Sequence, residues 1–139
     1  MRFFRKARGI AAVAGCLLCG AFAFCLTRSP VFSGEGYELY PRASSSAGAL
    51  VTEQPARDKF FLPVEGESAR YAGDCAAELI AAFRAEVVFT EEACGAVHYY
   101  CRSPLLRGGI VLYGARVNLH IATDGAVTTA GTPLIFGGA

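Results

Sequence analysis

Eighteen residues, Gly9 to Leu26, pass without a charged or amide side chain, and four cations (Arg2, Arg5, Lys6, Arg8) stand directly before them. At ~1.5 Å per residue such a run makes a helix ~27 Å long, enough to cross the hydrocarbon core of a bilayer. Basic residues ahead of an apolar run favour a cytoplasmic N-terminus. Residues 1–28 are therefore expected to form a single-pass anchor in the cell membrane, with the C-terminal part extracytoplasmic. A cleaved signal segment is the alternative: Ala21-Phe22-Ala23 offers the small residues of a processing site, and the product would be secreted. Phe22, Phe24, Cys25 and Leu26 carry the apolar run past that site, which favours the anchor.

After the apolar run the pattern shortens. Residues 29–36 hold Pro30, Gly34 and Gly36 and are expected to be a tether. Residues 37–139 then make one exported domain. Tyr37–Tyr40 alternates like a short strand closed by Pro41, residues 43–48 are a Ser/Ala/Gly loop, and Ala49–Thr52 and Lys59–Leu62 are further strand candidates. Ser68–Tyr71 is another, leading to Gly73. Asp74 stands at an N-cap position, and Ala76, Leu79, Ile80 and Phe83 follow at the spacing of one apolar helix stripe ending near Ala85. The remainder reads as strands. Glu86–Thr90 sets Val87 and Phe89 on one face, and Ala96–Arg102 returns after a turn at 91–95. Ile110–Leu112 follows, then Ala115–Ala122 with Val117, Leu119 and Ile121 inward, and Ala126–Thr129 after the Asp124-Gly125 turn. The closing segment, Gly131 to Gly138, is apolar enough to pack. The predicted class is α+β: a single helix on an antiparallel sheet, in strand–helix–multistrand order, behind a transmembrane or signal segment.

Charge separates the two parts. Five of the thirteen cations precede residue 29, leaving eight against all twelve acids, so the exported part carries a net charge of −4. Such a domain lacks the basic footprint that a phosphate backbone requires, so no nucleic acid partner is expected. Cys16, Cys19 and Cys25 fall in the apolar segment, where cysteine packs as a small hydrophobe. Val13-Ala14-Gly15-Cys16 matches a lipoprotein box by composition, but too few apolar residues precede it. Gly15 and Cys19 give one small-x-x-x-small spacing, a route to packing against a partner helix. Cys75, Cys94 and Cys101 lie in the domain. Three thiols leave both one disulfide and none open.

Candidate chemistry gathers on two strands. If 96–102 and 115–122 share a sheet, their outward sides bring together His98, Tyr100, Arg102, Arg116, Asn118 and His120. That face is suited to an anionic or sugar-like ligand or to a protein strand, and it is equally what the wet side of a half-buried sheet looks like. On paper His98 and His120 with Cys101 or Cys94 could supply zinc ligands, yet the odd spacing of Cys101 from His98 points those two to opposite faces, and a Cys–His nucleophile pair meets the same objection for Cys101. Cys75 lies near the helix N-terminus but flanks the apolar stripe, so it is expected to be buried and inert. Glu91-Glu92 is expected to be solvated, the serines at 44–46 lack a nucleophile elbow, and no phosphate-cradling loop is present. No cofactor or metal is expected.

Five blocks, Gly66-Glu67-Ser68, Glu91-Glu92-Ala93-Cys94-Gly95, Tyr99-Tyr100 before Ser103-Pro104, Val117–Ala122 and Gly131–Gly138, together carry a resemblance. The chain resembles short membrane-anchored envelope proteins of clostridia-type bacteria and, more distantly, the YwmB family of exported proteins, whose fold is likened to half of a TATA-binding protein. The resemblance covers about residues 37–139 and implies the same strand–helix–multistrand order; this chain is shorter than YwmB-type proteins, and no functional residue carries over. The expected function is a non-catalytic, membrane-anchored extracytoplasmic domain binding an envelope protein, a glycan or a membrane-protein partner. The alternative is a small envelope hydrolase using His or Cys.

Overall fold

The computed structural model describes residues 2–44, 46 and 48–137, and the side chains from residue 6 onward. Residues 45 and 47 of the Ser/Ala/Gly loop and 138 and 139 of the closing segment lie outside the described residues. Helix α1 spans Arg2–Thr27. Its portion Lys6–Thr27 is long and apolar enough to cross a membrane, and none of it is buried against the rest of the chain. Its hydrophobic side chains, Leu17 and Phe22 among them, face outward all round. A helix apolar on every side requires an apolar surrounding.

The domain is α+β. Strands β1 (Glu35–Tyr40), β2 (Leu50–Thr52), β3 (Gly66–Ala72), β4 (Glu86–Ala93), β5 (Ala96–Arg102), β8 (Leu119–Thr123) and β9 (Val127–Thr132) form one seven-stranded sheet in the order β2-β1-β3-β9-β8-β5-β4. Every pairing is antiparallel. Strands β6 (Ile110–Leu112) and β7 (Ala115–Val117) make a separate hairpin. Helix α3 (Ala76–Ala82) lies over one face. Its stripe of Ala76, Leu79, Ile80 and Phe83 packs with Tyr37 and Leu39 of β1, Ala69 of β3, Cys101 of β5, Leu119 and Ile121 of β8 and Ala130 of β9. These strand residues share a parity through the observed registers, so one face of the sheet supplies the core. Asp74 accepts the Ala76 amide (3.2 Å), although the residue at the N-cap itself is Cys75.

Four stretches depart from their sequence pattern. The expected tether 29–36 is docked. Phe32 is buried and stacks edge-on to Phe83, and the Val31 amide donates to Tyr37 Oη and Glu67 Oε1. Lys59–Leu62 belongs mostly to a helix, α2 (Pro55–Phe61), rather than a strand. Pro55 is pre-set for the first turn of a helix, and the helical turn sends Lys59 inward to an ion pair with Glu67 (2.7 Å). In β4 a bulge between Val87 and Phe89 pairs Val87 with Cys101 and Phe89 with Tyr100, so the two lie on opposite faces. Finally, 115–122 is two strands broken at Asn118, with β7 leaving the main sheet to pair with β6.

The second face of the sheet is partly covered. After Thr132 the chain crosses back over it: Ile135 lies above Gly131, Phe136 stacks edge-on to Tyr40, and Gly137 approaches Glu38. A Cβ on Gly131 would stand 2.8 Å from the Leu134 carbonyl oxygen, so glycine is what lets this segment lie flat.

Candidate functional site

The six residues grouped by parity divide into two places. His98 and Tyr100 of β5 and His120 of β8 share the second face of the sheet, with Tyr100 directly opposite His120. Their rings form a ladder. Tyr100 stacks on His120 at 4.4 Å between centroids and on Phe89 at 4.4 Å, and Tyr113 meets Phe89 edge-on. His98 Nδ1 lies 3.0 Å from His120 Nε2. The Ile135 amide donates to His120 Nδ1 (3.2 Å), which leaves the His120 proton on Nε2 to be donated to His98 Nδ1. The remaining His98 proton is then on Nε2, which is buried without a partner. Burial, reinforced by neighbouring His98, pushes the His120 pKa down to about 4. Burial, with Glu91 nearby, pushes the Tyr100 phenol up.

This ladder is poorly arranged for hydrolysis. Both nitrogens of His120 and one of His98 are engaged with each other or with the closing segment, so the pair is turned inward. Cys101 is on the opposite face, fully buried, and burial pushes its thiol up to about 11. A nucleophile needs the reverse shift.

Arg102, Arg116 and Asn118 go elsewhere. They line an open cleft of about 540 Å³ at the end of β5, together with Arg84, Glu86, Ser103, Pro104, Leu106 and Gly108. Asn118 is its buried framework. Its Oδ1 accepts the Ser103 amide (2.7 Å), and its Nδ2 donates to the carbonyls of Ser103 (2.8 Å) and Leu106 (2.9 Å). Ser103 Oγ in turn donates to the Phe83 carbonyl (2.6 Å). The end of α3, the end of β5 and the break between β7 and β8 are thus stapled into one rim. Asn118 has spent both amide protons on backbone carbonyls and has no donor left for a ligand.

Arg84 carries no signal in the alternation of strands, and reasoning by parity passes over it. Its signal is positional. Helix α3 ends with the Arg84 amide donating to Ala81 O and the Ala85 amide to Ile80 O, the paired bonds of a Schellman motif. The first residue past the cap in that motif is left-handed, and here it is Arg84, with φ 48° where glycine is usual. Three arginines, from a helix end and from β5 and β7, thus line one cleft with a single carboxylate, Glu86. All three side chains are exposed, and the only ion pair among the described residues is Lys59–Glu67, which involves none of them. Arginine forks of this kind match carboxylate and phosphate oxygens in pairs. Comparison with models of protein families, with curated proteins and with solved structures found no match to this chain.

Proposed function

We propose that the chain is a membrane-anchored, non-catalytic binding domain, held outside the membrane by α1, whose arginine cleft captures an anionic envelope component. The observation that carries this is that Arg84, Arg102 and Arg116, none of them ion-paired among the described residues, line one open cleft in a domain that is otherwise acidic. Three cations share the cleft with one carboxylate, Glu86, which stands opposite Arg102 in the sheet, so positive charge is in excess there and an anion relieves the repulsion. The left-handed backbone of Arg84 adds a cost of roughly 1 kcal/mol that a glycine would not incur. The ligand class is one bearing carboxylate or phosphate groups, whether on a glycan or on a partner protein. Support for the extracytoplasmic placement comes from the basic residues ahead of α1 and from the resemblance to short anchored envelope proteins and YwmB-type exported domains.

Titration calorimetry of the full chain in detergent micelles tests this, using a glycerophosphate polymer and a glutamate-rich peptide as phosphate- and carboxylate-bearing probes. Arg102→Gln and Arg116→Gln are each expected to weaken binding about tenfold, the worth of one charge-assisted hydrogen bond. Affinity should also fall as salt is raised. Unchanged affinity for both probes in the Arg84→Gln/Arg102→Gln/Arg116→Gln protein would remove the cleft as the site.

A further inference from the structure

At the foot of the domain, the end of α2 and its C-cap residue present three apolar side chains that the fold does not cover. Phe60, Phe61 and Leu62 are 41 %, 75 % and 41 % exposed. An isolated exposed phenylalanine needs no explanation, but these three are consecutive and their position is fixed against α1. The Phe60 ring meets the Phe24 ring of α1 edge-on at 5.3 Å, and Phe61 meets Phe60 at 5.2 Å. Arg28, just past α1, donates to the carbonyls of Leu62 (2.9 Å) and Lys59 (3.3 Å), while its guanidinium lies over the Phe24 ring. Lys59 Nζ closes the joint from the other side, donating to Ser29 O (2.7 Å) and Glu67 (2.7 Å). The end of α1 and the end of α2 are one locked unit.

That lock sets the depth of α2. The apolar portion Lys6–Thr27 has 22 residues, or ~33 Å of helix, close to the ~30 Å of a hydrocarbon core. Phe24 is three residues from its end, about 4.5 Å inside. A ring in contact with Phe24 lies at the same level, where acyl chains give way to headgroups. Leu105, 55 % exposed, borders the concavity that also holds Leu26 and Thr27, so apolar surface is present on that side of the exit as well. Arg28 and the exposed Arg107 stand at headgroup level, where cations meet lipid phosphate.

We propose that α2 is a second membrane contact: Phe60, Phe61 and Leu62 insert into the outer boundary of the same bilayer that α1 crosses, seating the domain on the lipid surface at a fixed tilt. The occupant of this apolar patch is lipid, because the patch is continuous with the lipid-facing surface of α1. The proposal rests on α1 spanning a membrane, and the test separates the two.

The chain has no tryptophan, so single replacements report from one place. Full-length Leu18→Trp, Phe61→Trp and Tyr113→Trp proteins are reconstituted in phosphatidylcholine vesicles whose acyl chains carry bromine near the headgroup or near the bilayer centre. All three parent side chains are exposed, at 71 %, 75 % and 93 %, so the fold is not at risk. Leu18→Trp should be quenched most by the deep bromine and Phe61→Trp most by the shallow one with blue-shifted emission, while Tyr113→Trp should be unquenched. Phe61→Trp emitting like Tyr113→Trp, with Leu18→Trp still quenched, overturns the seating of α2 alone. Loss of quenching in Leu18→Trp as well overturns the spanning helix and the seating with it.

Discussion

His120 shows how far one side chain's environment can differ from what its spacing suggests. By alternation it points away from the core, yet it is 6 % exposed because Ile135 and its neighbours lie across it. Burial lowers its pKa from 6.5 to about 4, and His98 adds to the effect. The unfolded chain therefore takes up a proton near pH 6.5 that the folded chain refuses until about pH 4. Between those values the unfolded state binds more protons, so stability is full above pH 6.5 and declines as the pH falls. At ~1.4 kcal/mol per unit the loss reaches roughly 3 kcal/mol across the window. His120→Asn keeps an acceptor near the Ile135 amide and cannot titrate. Urea unfolding of the full chain in micelles at several pH values should show a much flatter acid dependence for this variant, and an unchanged slope would assign the loss to another group. The sequence placed His98, Tyr100 and His120 on one face correctly. It could not reveal the closing segment above them, because a long-range cover leaves no local period.

At the scale of elements, the helix and the best-formed hairpins were legible because each is specified locally. The stripe of α3 and the alternation of β5 are patterns within one segment, and Asp124-Gly125 is a turn signal in itself. Leu79 sits at the middle of that stripe, 8 % exposed. Leu79→Asp should destabilise the domain by at least about 3 kcal/mol, since an unpaired carboxylate would have to enter the core. Glu78→Lys, one position away on the wet side, should stay within about 0.5 kcal/mol, and equal thermal melting of the two variants would contradict the packing described for α3. What stayed illegible has partners distant in the chain. Asn118 looks like an outward strand residue until the carbonyls of Ser103 and Leu106 are set beside it. The tether looked free until Phe32 met Phe83, and the Lys59 ammonium is explained only by Glu67. Three of the six predicted site residues line the proposed cleft, Arg102 and Arg116 with guanidiniums unpaired among the described residues and Asn118 as its bonded frame, while Arg84 was found only by its backbone.

The whole molecule is an apolar helix bonded to a head through Phe24, Arg28 and Lys59, and under the proposed anchoring the side of the membrane that the head faces can be read through its cysteines. Cys16, Cys19 and Cys25 belong to α1, where lipid would shield them. Cys101 is fully buried with its thiol pushed up to about 11, and Cys75 is half-buried, its thiol raised by desolvation and by Glu78. Only the thiolate reacts with a maleimide at an appreciable rate, so these two are slow. Cys94 is exposed at the β4–β5 turn, remote from the core. A maleimide too polar to cross membranes should therefore label the chain in intact cells, and Cys94→Ser should abolish that label while leaving expression unchanged. Labelling that appears only after the cells are permeabilised would set the head in the cytoplasm. The arginine cleft would then face cytoplasmic anions, and the rejection of nucleic acid would rest on the net charge of −4 alone.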